Sequence, residues 1–173
     1  MAEMYSGAVQ TLSSAGLSRY EVSNFSIPGG ECLHNQGYWS GRQYLGLGPG
    51  AHSRIGDPLN KQALVNIPSP DVWMSEVERV GHGVKLNKSV TIIDSLKELI
   101  ATGLRREKGI SVNDWERVSC DRVELSKLYT TLCQGSQTGI IFSDGYLRLT
   151  SDKICILDSI IPDIFNALDS LIS

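Results

Sequence analysis

Tyr44-Leu45-Gly46-Leu47-Gly48-Pro49-Gly50-Ala51-His52-Ser53 is the stretch on which the fold turns. Gly46 to Ala51 fits G-x-G-x-x-A, the glycine spacing of a dinucleotide-binding turn. Such a turn needs a helix to open directly after the glycines. The chain continues instead as His52-Ser53-Arg54-Ile55-Gly56-Asp57-Pro58, which is poor helix material. A Rossmann reading is therefore rejected. What survives is a short strand, Tyr44-Leu45, running into backbone bared of side chains. Glycine in that place either lets a ligand touch the main chain or simply makes a tight turn.

Towards the N-terminus, Tyr5, Ala8, Val9, Leu12 and Ala15 recur at helical spacing and predict a helix over 4–16, stopped by Gly16. Leu17 to Phe25 reads as a strand with Tyr20 and Val22 apolar. Residues 26–43 read as loop, punctuated by Pro28-Gly29-Gly30. Helix, strand, loop and strand make the tail of an α/β repeat. Glu21, Ser23 and Asn24 close the strand. Polar side chains at the C-terminal ends of barrel strands point into the functional face, which makes Glu21 and Asn24 candidates for cofactor contact. An ordinary surface position is the alternative.

The predicted loop contains Cys32-Leu33-His34-Asn35-Gln36-Gly37-Tyr38-Trp39. Two of the three histidines, His34 and His52, and one of the three tryptophans fall within 19 residues. Tyr38 and Trp39 offer flat apolar faces to a large planar ligand. Asn35 is placed to fix the tautomer of His34, and neutral imidazole is a common ligand of haem iron. The plainer reading is a solvated loop histidine. His52 reads as a ligand or a wall residue. His82, in Gly81-His82-Gly83, reads as a loop residue.

Towards the C-terminus, Asp57-Pro58, Pro68 and Pro70 predict a linker, because proline removes donors and blocks helix. Asp71 then reads as the N-cap of a helix carrying Val72, Trp73, Val77 and Val80. Ile92, Leu96, Leu99 and Ile100 line a helix over 91–103. Ser111 or Asn113 caps a short turn around Trp115, and Leu125, Leu128, Tyr129 and Leu132 mark a third long helix. Ser143-Asp144-Gly145 between two apolar runs predicts a hairpin. Thr150 or Ser151 caps a final helix that Pro162 should kink or split. Helix, short helix, helix, hairpin, helix is the order of a winged-helix domain.

An apolar fraction of 41% and a charged fraction of 20% are ordinary for a globular protein. The formal charge of −3 argues against general attraction to DNA, RNA or anionic lipid. The best recognition-helix candidate, Glu124 to Tyr129, is not basic, so no nucleic-acid partner is expected. No apolar run approaches the ~20 residues of a membrane span, and MAEMYSGAVQ has neither part of a secretory signal. Cys32, Cys120, Cys133 and Cys155 match no zinc or CxxC spacing and read as free thiols. No nucleophile elbow and no telling carboxylate pair is present, so no catalytic residue is named.

Arg19-Tyr20-Glu21-Val22-Ser23-Asn24-Phe25, His34-Asn35-Gln36-Gly37-Tyr38-Trp39 and Tyr44 to Ser53 together resemble the HemW-type proteins. Gly103-Leu104-Arg105 and Gly109-Ile110 add to the likeness. These are haem chaperones of the radical S-adenosylmethionine superfamily, close to the oxygen-independent coproporphyrinogen III oxidase, with an animal mitochondrial type. The resemblance implies an α/β plus α+β chain. The last βα elements of a partial TIM-like barrel would occupy 1–55, a linker 56–70, and a winged-helix-like C-terminal domain 71–173. The family's HNxxYW motif is tied to haem binding and carries over to His34, Asn35, Tyr38 and Trp39, with His34 as the iron's axial ligand. Gly48, Ala51 and His52 would lie near the S-adenosylmethionine pocket, with Glu21 and Asn24 beside them. Haem and haem-acceptor proteins are the implied partners.

The family's Cys-x3-Cys-x2-Cys motif has no counterpart here. The chain thus reads as a C-terminal fragment that should neither hold the [4Fe-4S] cluster nor cleave S-adenosylmethionine, both belonging to a full-length parent. Alternatives are a coproporphyrinogen oxidase-like enzyme of porphyrin biosynthesis and a winged-helix interaction module. The implied location is mitochondrial for an animal-type parent and cytoplasmic otherwise.

Overall fold

The computed structural model describes residues 2–135 and 139–172. Helix α1 (Ala2–Ser14) opens the chain, and Gly16 turns it at φ +79°. Where one strand was expected over 17–25, a hairpin forms from β1 (Ser18–Glu21) and β2 (Asn24–Ser26). The reversal has a local cause. The Glu21 carboxylate accepts from the Ser23 backbone N–H (2.8 Å) and from Asn24 Nδ2 (2.7 Å), so an acidic side chain closes its own turn. The expected loop over 26–43 contains helix α2 (Leu33–Trp39).

Tyr44 forms one antiparallel bridge to Arg54 rather than a strand with Leu45. Strands β3 (His52–Ile55), β4 (Gln62–Asn66) and β5 (Val84–Ser89) make an antiparallel sheet in that order, with helix α3 (Pro70–Val80) between the last two. The expected linker over 56–70 therefore holds a central strand. Its prolines mark the strand's edges. Asp57 Oδ1 accepts from the N–H of Leu59 and of Asn60, making Asp57-Pro58 the β3–β4 turn. Pro70 is the first residue of α3, and Ser69 rather than Asp71 is its N-cap. Strand β5, sequence VKLNKS, shows no apolar run that would announce it.

Helix α4 (Ile92–Gly103) starts at a capping box in which Thr91 and Asp94 satisfy each other's backbone N–H. Then come β6 (Ile110–Ser111), α5 (Val112–Ser119), α6 (Leu125–Gln134), β7 (Ile140–Ser143), β8 (Tyr146–Leu149), a 3-10 turn over Ile154–Ile156 and α7 (Leu157–Ile172). Ser111 caps α5 by accepting from Asp114 N at 3.0 Å. Asp144 and Gly145, both at positive φ, turn β7 into β8. The sheet order is β6-β8-β7. The last helix begins later than Thr150 or Ser151 would start it, and Pro162 does not split it. Pro162 is exposed, whereas Leu157, Ile160, Ile164 and Leu168 are buried on the other side, and that packed stripe carries the helix past the missing donor.

Every buried apolar residue among those described falls between Leu96 and Leu168. Trp115 sits fully buried in this core, its Nε1–H donating to Val123 O at 2.6 Å. The elements before α4 are tied to it mainly by polar contacts. Arg105 Nε donates to Glu21 Oε1 (2.7 Å), and Arg54 and Lys61 both donate to Glu98 of α4. No described helix is long and apolar enough to cross a membrane.

Candidate functional site

Seven residues are too few for a helix to persist alone, so α2 owes its shape to what holds it. Its N-cap, Cys32, makes no side-chain cap bond. Its C-terminal end is clamped. Arg117 of α5 donates to Ser40 O and Gly41 O, and Arg106 Nη1 donates to Ser40 Oγ at 3.2 Å. The same hydroxyl donates to Gln36 O at 2.7 Å. Two guanidinium groups at the negative end of the helix match its dipole and its free carbonyls.

The clamp fixes which way each side chain of the helix faces. His34 and Tyr38, four residues apart, lie on one face with their rings edge to face at 4.6 Å. Tyr38 in turn meets Tyr44 at 4.4 Å, next to the Tyr44–Arg54 bridge. Trp39 lies about 140° from His34 round the helix and pairs with Tyr20 of β1 at 6.0 Å. The four expected haem residues are thus divided. His34 and Tyr38 share one face with Tyr44, while Trp39 serves another. The expected link from Asn35 to the imidazole is absent among the described hydrogen bonds, because adjacent helical residues do not face each other. His34 is exposed.

The glycine loop turns onto its own sheet. A Cβ on Gly46 would stand 2.2 Å from His52 O, so the bare Cα is required by the chain's own strand. Gly48 O accepts from Asn66 Nδ2, Gly50 N donates to Ile67 O, and Asn66 N donates to Ala51 O, each at 2.9 Å. Gly48, at φ +94°, has open space where a Cβ would be. His52 is exposed on β3 opposite Val65. Glu21, expected with Asn24 to face a cofactor, accepts from Asn24 Nδ2 and from Arg105 Nε. Burial pushes the Glu21 pKa up, but the bonds from Asn24, Ser23 and Arg105 outweigh it and hold the carboxyl below its usual range.

A cavity of about 640 Å³ opens on the Trp39 side of α2. It takes Leu33, Gln36 and Trp39 from the helix, but neither His34 nor Tyr38. Arg19 and Tyr20 of β1 and Arg106 and Lys108 after α4 complete its charged and aromatic wall. The arginines at 19, 106 and 117 were missed in the sequence because no local pattern marks them. Arg106 reaches Ser40 from 66 positions away in the sequence.

Among the described residues no three His, Cys, Asp or Glu side chains gather closely enough to hold a metal ion. Cys32 precedes α2, Cys120 follows α5, Cys133 lies in α6 and Cys155 in the 3-10 turn, so the thiols do not fit an iron–sulfur cluster.

No family model matches the chain. Over 96% of its length it is 36% identical to the radical S-adenosyl methionine domain-containing protein 1, mitochondrial, of Danio rerio, and it spans 39% of that protein. It is 34% identical to the heme chaperone HemW of Bacillus subtilis over 64% of this chain and 28% of that one. The solved coproporphyrinogen III oxidase of Escherichia coli, a radical SAM enzyme, superposes with a TM-score of 0.61 over 92% of the chain and 39% of the enzyme, at 14% identity, a likeness of fold. With two motif blocks set side by side at His34–Trp39 and Tyr44–Ser53, and with the Danio rerio relative matched over 96% of its length and the Bacillus subtilis one over 64%, the chain belongs to the HemW-type family of radical S-adenosylmethionine proteins.

Proposed function

We propose that this chain binds haem through α2, with His34 as the iron ligand, and is the cargo-holding part of a haem chaperone that hands haem to acceptor proteins. One observation carries the reading. The His34 imidazole is exposed, yet its ring is held edge to face by Tyr38, which Tyr44 holds in turn. A ring both accessible and oriented is what an incoming iron requires. The relatives named heme chaperone support the same reading. The [4Fe-4S] cluster and S-adenosylmethionine belong, in this proposal, to a longer protein, since the cysteines here do not suit the cluster. Gly48, with open space beside its Cα, is the position in the glycine loop best suited to close approach by a cofactor, with Ala51 and His52 adjoining.

The stretch from α4 to α7 serves as a winged-helix-like packing domain rather than a nucleic-acid reader. Its helices and its β6-β8-β7 sheet support the first part, and the acidic balance of the chain supports the second. A mitochondrial location follows the names of the animal relatives. The shared fold with coproporphyrinogen oxidase does not by itself carry an enzymatic reading.

Titrating haem into the 173-residue chain tests the proposal. The expected result is a shifted Soret band that His34→Ala abolishes. Affinity should fall by at least the ~10–100-fold that even outer partners of a metal ligand are worth. A Soret band and affinity unchanged in His34→Ala would remove His34 from the site.

A further inference from the structure

Two arginines in the wall of the cavity behind α2 carry hydrogen-bond donors that are covered from solvent and lack a partner. Among the described residues, five buried side-chain nitrogens or oxygens lack a hydrogen-bond partner. Three of them, Arg19 Nε, Arg106 Nε and Arg106 Nη2, belong to two arginines of this one wall. The Arg19 side chain is only 9% exposed and that of Arg106 only 13%. Arg19 Nη1 donates to Tyr5 Oη at 3.0 Å, while its Nε stands 3.7 Å from Glu107 Oε2, beyond hydrogen-bond reach. Arg106 spends Nη1 on Ser40 and keeps Asp114 at 3.5 Å from Nη2. A buried guanidinium with donors to spare is costly unless something accepts from them.

The acceptor's chemistry follows from the rest of the wall. Lys108 adds a third positive charge, against the carboxylates of Glu31 and Glu107. Two fork-shaped guanidinium groups favour carboxylate or phosphate oxygens. The rings of Tyr20 and Trp39 add flat apolar surface, and Leu33, 82% exposed, stands at the same wall. A volume of about 640 Å³ suits a small-molecule ligand rather than an ion.

We propose that this cavity is a carboxylate-binding subsite for a flat aromatic ligand, Arg19 and Arg106 taking the carboxylates and Tyr20 and Trp39 the planar body. The choice of a porphyrin as that body rests on the function proposed above, although the cavity lies apart from His34, so the porphyrin held here is not the one whose iron His34 ligates. The need for carboxylates rests on the cavity alone. An incoming carboxylate takes the place that Glu107 holds loosely at Arg19.

Metal-free protoporphyrin IX separates this subsite from iron ligation, since it offers His34 no metal. Its affinity for the whole chain is measured by fluorescence anisotropy, beside the same porphyrin with both carboxylates converted to neutral amides. The expected result is binding of the dicarboxylate and a loss of about tenfold or more for the diamide, the worth of one charged hydrogen bond. Arg106→Gln lowers dicarboxylate affinity by a similar factor, and Arg106→Lys restores part of it. Lys108→Glu, at an exposed position, also weakens binding and guards against a folding defect in the arginine variants. Equal binding of diacid and diamide, no binding of the metal-free porphyrin, or affinity untouched by both Arg106→Gln and Lys108→Glu overturns the proposal. Loss of haem ligation at His34 with diacid binding intact overturns the iron assignment alone.

Discussion

Glu21 shows how far one side chain can shape this molecule. Its side chain is 3% exposed, and its two oxygens accept from Ser23 N, Asn24 Nδ2 and Arg105 Nε. Glutamine in its place has one acceptor oxygen and one donor amide. Either orientation of the amide sets its N–H₂ against a donor, and the charge partner of Arg105 is lost. Glu21→Gln should destabilise the chain by about 2–3 kcal/mol at pH 7, read from urea midpoints. The sign with pH is fixed by the depressed pKa. The stabilisation is complete above the unfolded glutamate value of about 4.3 and is lost as pH falls through the lower folded value. The gap between wild type and Glu21→Gln should therefore stay constant above about pH 5.5 and shrink in acid. A gap independent of pH down to the acid limit contradicts this assignment. The same residue explains a misreading. Arg-Tyr-Glu-Val-Ser-Asn-Phe alternates like one strand, and only the carboxylate's bonds to its own turn, braced from Arg105, reverse it after Glu21.

Elements with local signals were legible, and those defined by distant contacts were not. The apolar spacing of Ile92, Leu96, Leu99 and Ile100, the Ser111 cap and the Asp144-Gly145 turn are local signals, and α4, α5 and the β7–β8 hairpin stand where they put them. Helix α2 has no cap bond, and β5 has only Val84 and Leu86 as apolar positions. One depends on arginines from later elements and the other on pairing with β4. For the candidate site, sequence identified the residue types around His34 but not their division between faces, which follows from helical geometry in a stretch read as loop. The β3-β4-β5 sheet offers a test at this scale. Arg54 binds Glu98 through Nε and Nη2, and Lys61 adds a contact at 3.3 Å. Burial pushes the Glu98 pKa up, and the bond from Arg54 and the charges of Lys61 and Arg54 bring it below its usual range. The Glu98 side chain is 38% exposed, so screening should hold the cost of Glu98→Gln near 1 kcal/mol. Hydrogen exchange should quicken in β3 and β4 while α4, α6 and α7 keep their protection. Uniform loss of protection over all of them would show that the cluster does not act on the sheet in particular.

Across the whole molecule, the apolar core and the candidate site occupy different parts of the chain. The buried apolar residues run from Leu96 to Leu168, whereas His34, Trp39 and the glycine loop lie on elements that have none. Those earlier elements keep their arrangement through Glu21–Arg105, Glu98 with its two cations, and Arg106 and Arg117 on Ser40. A site built on such ties is ordered only while the core beneath it is folded. The independent folding unit should then begin near Thr91, not at Asp71, because α3 and β5 belong with the upstream sheet. Residues 91–173 are expected to fold alone, with a cooperative urea transition and dispersed amide resonances. Residues 1–90 are expected to stay unfolded, with no fully buried apolar residue among those described to offset about 1–2 kcal/mol of backbone entropy per residue. Adding the first piece to the second should then order it, and haem affinity should appear only in the mixture or the intact chain. Dispersed resonances from 1–90 in isolation would mean that the polar ties suffice without the core, and the dependence of the site on the folded C-terminal unit would fail.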